Sequence, residues 1–292
     1  MPDLALVFNA FVWGVSWWPF RLLEAQGLHP LWATAVVYLP ALAAVLVWRP
    51  GALGPFLRRP GLWLLALTAG LTNACFNWGV TQGDVVRVVL LFYLMPMWMV
   101  LLAWPLLGER PDAAALGRMV LGLAGVAVVL HAPGTGWPLP RSLPDLLGLA
   151  GGLCFALNNV LLRRLRDTPD AARTLAMFAG GLATAATIAA VATAAGTVAA
   201  PPAWSPGWVL PALALAAGFL AGNVALQYGA ARLPAHRTAL VMLSEVVFAA
   251  ASAVALGAAA MTPHVAVGGA MVVLAAAWGA VASRRAAAGP TG

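Results

Sequence analysis

The sequence predicts an all-α membrane protein of ten transmembrane helices arranged as two inverted five-helix repeats. Three observations point there. Of 292 residues, 62% are hydrophobic and 9% charged, with a mean hydropathy of +0.89, whereas soluble domains average about 45–50% apolar and about 25% charged. Ten segments reach the roughly 17–25 mostly apolar residues that a spanning helix needs. An amide pattern in the third segment returns in the eighth at an offset of 150.

The spans follow one another with short punctuation. The first repeat, 1–131, holds spans near 4–23, 30–48, 61–81, 85–107 and 114–131. The first lacks a positive leading region and a small-residue cleavage site, so it reads as a retained span. A stretch at 132–144, rich in Pro and Gly, reads as the linker. The second repeat, 145–283, holds spans near 145–164, 171–192, 207–230, 236–257 and 264–283, and 284–292 form a tail. Arginine placement orients the chain. With the N-terminus cytoplasmic, thirteen arginines fall inside and only Arg21, Arg87 and Arg141 outside. Both termini are then cytoplasmic.

The third span reads Asn73-Ala-Cys-Phe-Asn77-Trp78-Gly79 and the eighth Asn223-Val-Ala-Leu-Gln227-Tyr228-Gly229. Arg87 and Arg237 share the same offset, and Gly108 and Gly257 follow at 149. An odd number of spans per copy turns the second copy upside down, the arrangement in which secondary transporters place a site near the midplane.

On these residues the chain resembles the EamA-type members of the drug/metabolite transporter superfamily. Trp13-Gly14, Pro96, Leu107-Gly108-Glu109-Arg110 and Gly117, Gly122 and Gly125 carry the resemblance. Leu243-Ser244-Glu245-Val246-Val247-Phe248 is similar to the family's Leu-x-Glu-Pro-Val-Phe, with Val246 where proline is usual. Ala258 stands where the repeat of Glu109 would place an acid. The resemblance covers essentially the whole chain and implies the ten-helix fold. The aromatic-rich layout most resembles bacterial aromatic amino acid exporters, which implies export across a bacterial inner membrane.

Polar groups in hydrocarbon are costly unless they line water, substrate or another helix. Asn73 and Asn77 share a helix face, with Asn223 and Gln227 as their counterparts. Asn158 and Asn159 add adjacent amides in the sixth span, and Ser16 lies in the first. These are either a neutral lining for an amphipathic solute or hydrogen bonds between helices, worth only about 0.6 kcal/mol each. Glu245 is the one acid well inside a span; it either meets a substrate ammonium or a proton, or holds its helix in place. Trp17, Trp78, Tyr93, Trp98 and Tyr228 lie beside the amides and suit an aromatic guest. Trp13 and Trp18 also lie deep, whereas Trp48, Trp63, Trp104, Trp204, Trp208 and Trp278 fall near span ends, where aromatic belts form. Pro19 and Pro96 lie within spans and are candidate kinks, Pro96 freeing the Phe92 carbonyl.

All sixteen basic residues are arginine, scattered rather than clustered, so nucleic acid is not an expected partner. No phosphate-binding loop is possible without lysine, and the four histidines lack metal-ligand spacing. No cofactor, no metal and no catalytic cluster is expected. The expected function is export of small amphipathic metabolites, aromatic and other neutral amino acids foremost, by alternating access. A multidrug or cationic-solute exporter is the alternative, and a membrane-embedded enzyme the alternative of another class. The expected partners are a small-molecule substrate and the lipid bilayer, with the chain working as a monomer.

Overall fold

A computed structural model describes residues 2–108, 112–131, 139–230, 232–233 and 241–287. Expectations that fall on Glu109, Arg110, Pro111, 132–138, His236 and Arg237 lie outside the described residues, as do the side chains of Pro96 and Gln227.

Every described regular element is helical. The chain runs α1 (Pro2–Val15), α2 (Trp17–Ala25), α3 (Pro30–Trp48), a short 3-10 turn and α4 (Leu53–Arg58), then α5 (Pro60–Gln82), α6 (Val85–Phe92), α7 (Met95–Leu107) and α8 (Ala113–Leu130). It continues with α9 (Leu143–Arg164), α10 (Asp170–Ala194), α11 (Pro206–Ala230), α12 (Ser244–Ala255) and α13 (Pro263–Ala287). Side-chain caps start several of them: His29 Nδ1 accepts from the Leu31 N–H, and Asp84, Asp112 and Ser142 cap α6, α8 and α9.

Five segments among the described residues are long and apolar enough to cross a membrane: Pro30–Trp48, Val85–Leu106, Leu143–Arg164, Asp170–Ala194 and Pro206–Leu226. The sequence reading expects ten. The remainder fall short for definite reasons. The first span is interrupted at Ser16 between α1 and α2, α5 spends its hydropathy on Asn73, Asn77, Gln82 and three threonines, and the ninth expected span begins outside the described residues.

Breaks replace the expected proline kinks. Ser16 joins α1 to α2, its hydroxyl donating to the Trp13 carbonyl at 2.8 Å. Pro19 sits just beyond, in the first turn of α2, where its missing N–H costs nothing. Pro96 likewise begins α7, and the discontinuity lies before it at Tyr93–Leu94. A similar break precedes α12 at Leu243, at an offset of 149. Gly108 and Gly257, which follow α7 and α12, both adopt left-handed backbone at φ 73° and 67°, a conformation that glycine supplies at helix ends.

The packing pairs read alike from either half. α1 lies on α11 and α12, as α9 lies on α5 and on α6–α7; α5 lies on α10 as α3 lies on α11. Three pairs join like positions: α3 with α10, α6 with α12 and α8 with α13. Glycines make the crossings close. A Cβ on Gly152 would come 2.6 Å from the Phe92 carbonyl, and one on Gly14 2.8 Å from the Glu245 carbonyl. Gly125 and Gly268 lie against each other's carbonyls. Large apolar side chains cover much of the exterior, among them Leu4, Val47 and Leu210. Trp48, Trp63, Trp104 and Trp204 are exposed near helix ends; Trp278 is exposed farther inside α13, and Trp208 departs from the expectation, being buried with its indole N–H on the Ala203 carbonyl at 2.9 Å.

Candidate functional site: a one-sided central cavity

A cavity of about 1120 Å³ lies among α1, α3 and α5 through α13. That exceeds the usual 300–1,000 Å³ of small-molecule sites. Its walls are aromatic and thioether: Trp13, Tyr38, Phe76, Phe92, Tyr93, Phe155, Phe178 and Phe219, with Met95, Met97, Met99, Met119, Met177 and Met242. Six of the chain's nine methionines thus face one space. The unbranched thioether adapts to irregular apolar guests.

The polar groups are few and mostly engaged. Tyr38 donates to Asn73 Oδ1 at 2.5 Å, and Asn73 Nδ2 donates to the Ala69 carbonyl at 2.7 Å. Tyr93 donates to Glu245 Oε2 at 3.1 Å and lies 3.3 Å from the Met242 carbonyl. Thr68 links α5 to Asn158 at 3.4 Å, and Asn159 donates to the Phe155 carbonyl at 2.8 Å. Asn9 donates to the Met242 sulfur at 3.5 Å, while its buried Oδ1 has no hydrogen-bond partner among the described residues.

The cavity extends toward one end of the bundle and stops short of the other. Asp112, Arg118 and Arg163 line it at the open end. On α1 the lining ends at Trp13 and on α5 at Phe76. Past that level the helices are tied. Trp17 donates its indole N–H to Ser252 at 3.0 Å. Arg21 donates to the carbonyls of Val80, Thr81 and Gly83 at the C-terminal end of α5, at 3.4, 3.0 and 2.5 Å, where a cation also meets the helix dipole favourably. Arg87 makes a two-pronged ion pair with Asp145 at 2.6 and 2.9 Å and donates to the Val129 carbonyl at 3.2 Å. The Asp145 carboxylate also accepts the Arg141 N–H, so it is buried with its oxygens satisfied.

This one-sidedness sorts the residues expected from the sequence. Asn73, Tyr93, Asn158, Asn159, Asn223 and Glu245 line the cavity. Ser16, Trp17, Asn77 and Trp78 do not, because they lie beyond its closed end. Asn77 is fully buried and donates to Thr34 of α3 at 3.1 Å; Trp78 donates to Gln82 at 2.8 Å and meets the His29 ring. Trp98 packs into the core beside the lining methionines, its buried indole N–H without a partner among the described residues. Tyr228 faces outward, 42% exposed, with the Arg232 guanidinium 3.9 Å over its ring. Trp18 is likewise exposed. The sequence reading passed over Asn9, Tyr38, Arg118 and the methionines. Met95-x-Met97-x-Met99 is a visible signal in the chain; nothing in the pattern distinguishes Tyr38 from other span aromatics.

Residues 1–131 match the EamA-like transporter family. The EamA-like match spans the first five expected helices and ends before the linker. One solved crystal structure, described only as that of a protein, is 22% identical over 97% of this chain and 98% of its own, with a TM-score of 0.60. It is one of 14 solved chains that resemble this one, and at that identity the likeness shows a shared fold. No curated protein matches the chain. The apolar helices and the EamA-like match make this a multi-pass membrane protein.

Proposed function

We propose that the chain is a secondary transporter, exporting small amphipathic metabolites from a bacterial cytoplasm across the inner membrane by alternating access. Aromatic and other neutral amino acids are the leading cargo. The observation that carries this reading is the large cavity between the halves, extending toward one end and tied shut at the other. The EamA-like match over the first half supports it. The exchange of packing partners between halves, the paired breaks before α7 and α12, and the left-handed glycines at an offset of 149 support two copies of one unit. With five spans each and a cytoplasmic N-terminus, the copies run oppositely and the open end faces the cytoplasm.

In this reading Glu245 and Tyr93 receive the cationic end of the cargo, while methionine and aromatic side chains hold its apolar body. The multidrug alternative draws on the same carboxylate, since a lipophilic cation needs only that charge and a plastic wall. Counterflow into proteoliposomes separates the two. Preloaded phenylalanine or tryptophan should drive uptake of labelled phenylalanine, and lipophilic cations should compete poorly. Competition by the cations alone overturns the amino acid reading; no exchange of any probe overturns transport. Repeating the assay with and without a pH gradient reads the coupling.

A further inference from the structure

Arg118 enters the sequence reading only as one of thirteen inward arginines. In the structure it lies near the start of α8, on the wall of the cavity. Its Nη1 is shut off from solvent and has no hydrogen-bond partner among the described residues. A buried charged donor left unpaired is costly, so a site that keeps one has a use for it. The position of the guanidinium is not accidental. It lies 5.9 Å from the centre of the Trp278 ring on α13, and that ring lies close along α8 where Gly117 has no side chain; a Cβ there would meet it at 3.4 Å.

Among the described residues no ion pair joins Arg118 to the neighbouring acid, Asp112. Asp112 accepts the Ala115 N–H at 2.6 Å and so caps the helix that carries Arg118. The open end of the cavity is therefore set for a planar anion, while its deeper carboxylate, Glu245, belongs with Tyr93.

We propose that Arg118 is the recognition point for the carboxylate of the cargo, so that the site selects carboxylate-bearing amphipaths over amines of the same apolar shape. Through its other N–H groups the guanidinium can pair a carboxylate by two parallel charged hydrogen bonds, whereas an ester offers only a weaker neutral acceptor and a protonated amine none. This rests on the transport reading above and narrows its cargo.

The test compares L-phenylalanine, its methyl ester and 2-phenylethylamine, as binding to the purified full chain in detergent and as counterflow in proteoliposomes. The wild type should bind phenylalanine at least about tenfold more tightly than the ester or the amine, one well-made charged contact being worth about that much. Arg118→Gln should collapse that ratio toward one, with Arg118→Lys intermediate because it keeps charge without the fork. Trp278→Leu, which removes the stacking platform and leaves the charge, should lower the ratio too and serves if Arg118→Gln fails to fold. An amine that binds the wild type as well as phenylalanine, absence of binding by phenylalanine, or a ratio unmoved in Arg118→Gln overturns the proposal. Failure of transport reads differently: binding would keep its carboxylate preference while no probe exchanges across the membrane.

Discussion

A carboxylate among apolar helices persists only where something donates to it, and for Glu245 that is the Tyr93 hydroxyl, reaching across from the junction of α6 and α7. Removing the charge and removing the donor should therefore differ. Glu245→Gln keeps the shape and loses the anion; we expect counterflow of a protonated amine or amino acid to fall at least about tenfold. Tyr93→Phe keeps the ring and loses one hydrogen bond, so a fall of about two- to tenfold is expected. Rates equal to wild type in both variants would make the pair structural. A second residue-scale expectation concerns His29 at the tied end. Burial holds its imidazole below the ordinary value, with Glu24 opposing, and its Nδ1 accepts the Leu31 N–H only when unprotonated. The stability it lends is complete above about pH 6.5 and is lost as pH falls below that, because the unfolded chain then binds the proton more readily. Thermal melts from pH 7.5 to 5 should show this loss in the wild type and a weaker one in His29→Asn, whose cap does not titrate; parallel curves would contradict it. Glu245 was legible in the sequence because a lone acid in a span is conspicuous. Asn9 and Arg118 were not: near a span end, an amide or arginine looks like any interfacial side chain until the cavity beside it is seen.

At the scale of helices, composition marks where apolar runs lie but not where the backbone breaks inside them. Pro19 and Pro96 announce breaks, yet a proline is tolerated in the first turn of a helix, so each break falls ahead of it, at Ser16 and at Tyr93–Leu94. The paired amides show a subtler limit. Asn73 and Asn77 are one turn apart on one face of α5, yet that turn of about 6 Å carries Asn77 past the closed end of the cavity. Periodicity supplies the face and is silent about depth. The glycines tell more: Gly180 of α10 lies against the backbone of Ala66, so closely that any Cβ would collide with it, and Gly181 lies against the Tyr38 ring. Gly180→Val should cost at least about 1–3 kcal/mol, as overpacking does, and lower the melting temperature in detergent by several degrees. Gly54→Ala on α4 meets nothing within 4 Å and should leave the melt unchanged. Equal melts for the two variants would mean that α5 and α10 are not held this close.

For the whole molecule, the closed end of the cavity is held by ties between the halves, while at the other end Arg59 donates to Thr168 at 2.8 Å, where α5 begins and α9 has ended. Arg87 with Asp145 and Trp17 with Ser252 each join a helix of the first half to one of the second, beyond the closed end of the cavity. Alternating access requires such ties to break when the cavity opens the other way, whereas a rigid pore or a receptor has no need to break them. The crossing of α6 and α9 offers a direct lock. A Cβ placed on Gly148 would lie 3.2 Å from that of Leu91, close to the roughly 3.5–4.5 Å that a disulfide spans. Leu91→Cys with Gly148→Cys, in a chain with Cys75 and Cys154 changed to serine, should therefore cross-link on oxidation and hold this end shut. The locked protein should still bind phenylalanine from the open side, because the lining residues are untouched, but counterflow should vanish and return on adding a thiol reductant. Full exchange by the oxidised, cross-linked protein would mean that the tied end never opens, and that the cavity is filled and emptied by some route other than an exchange of access between the two faces of the membrane.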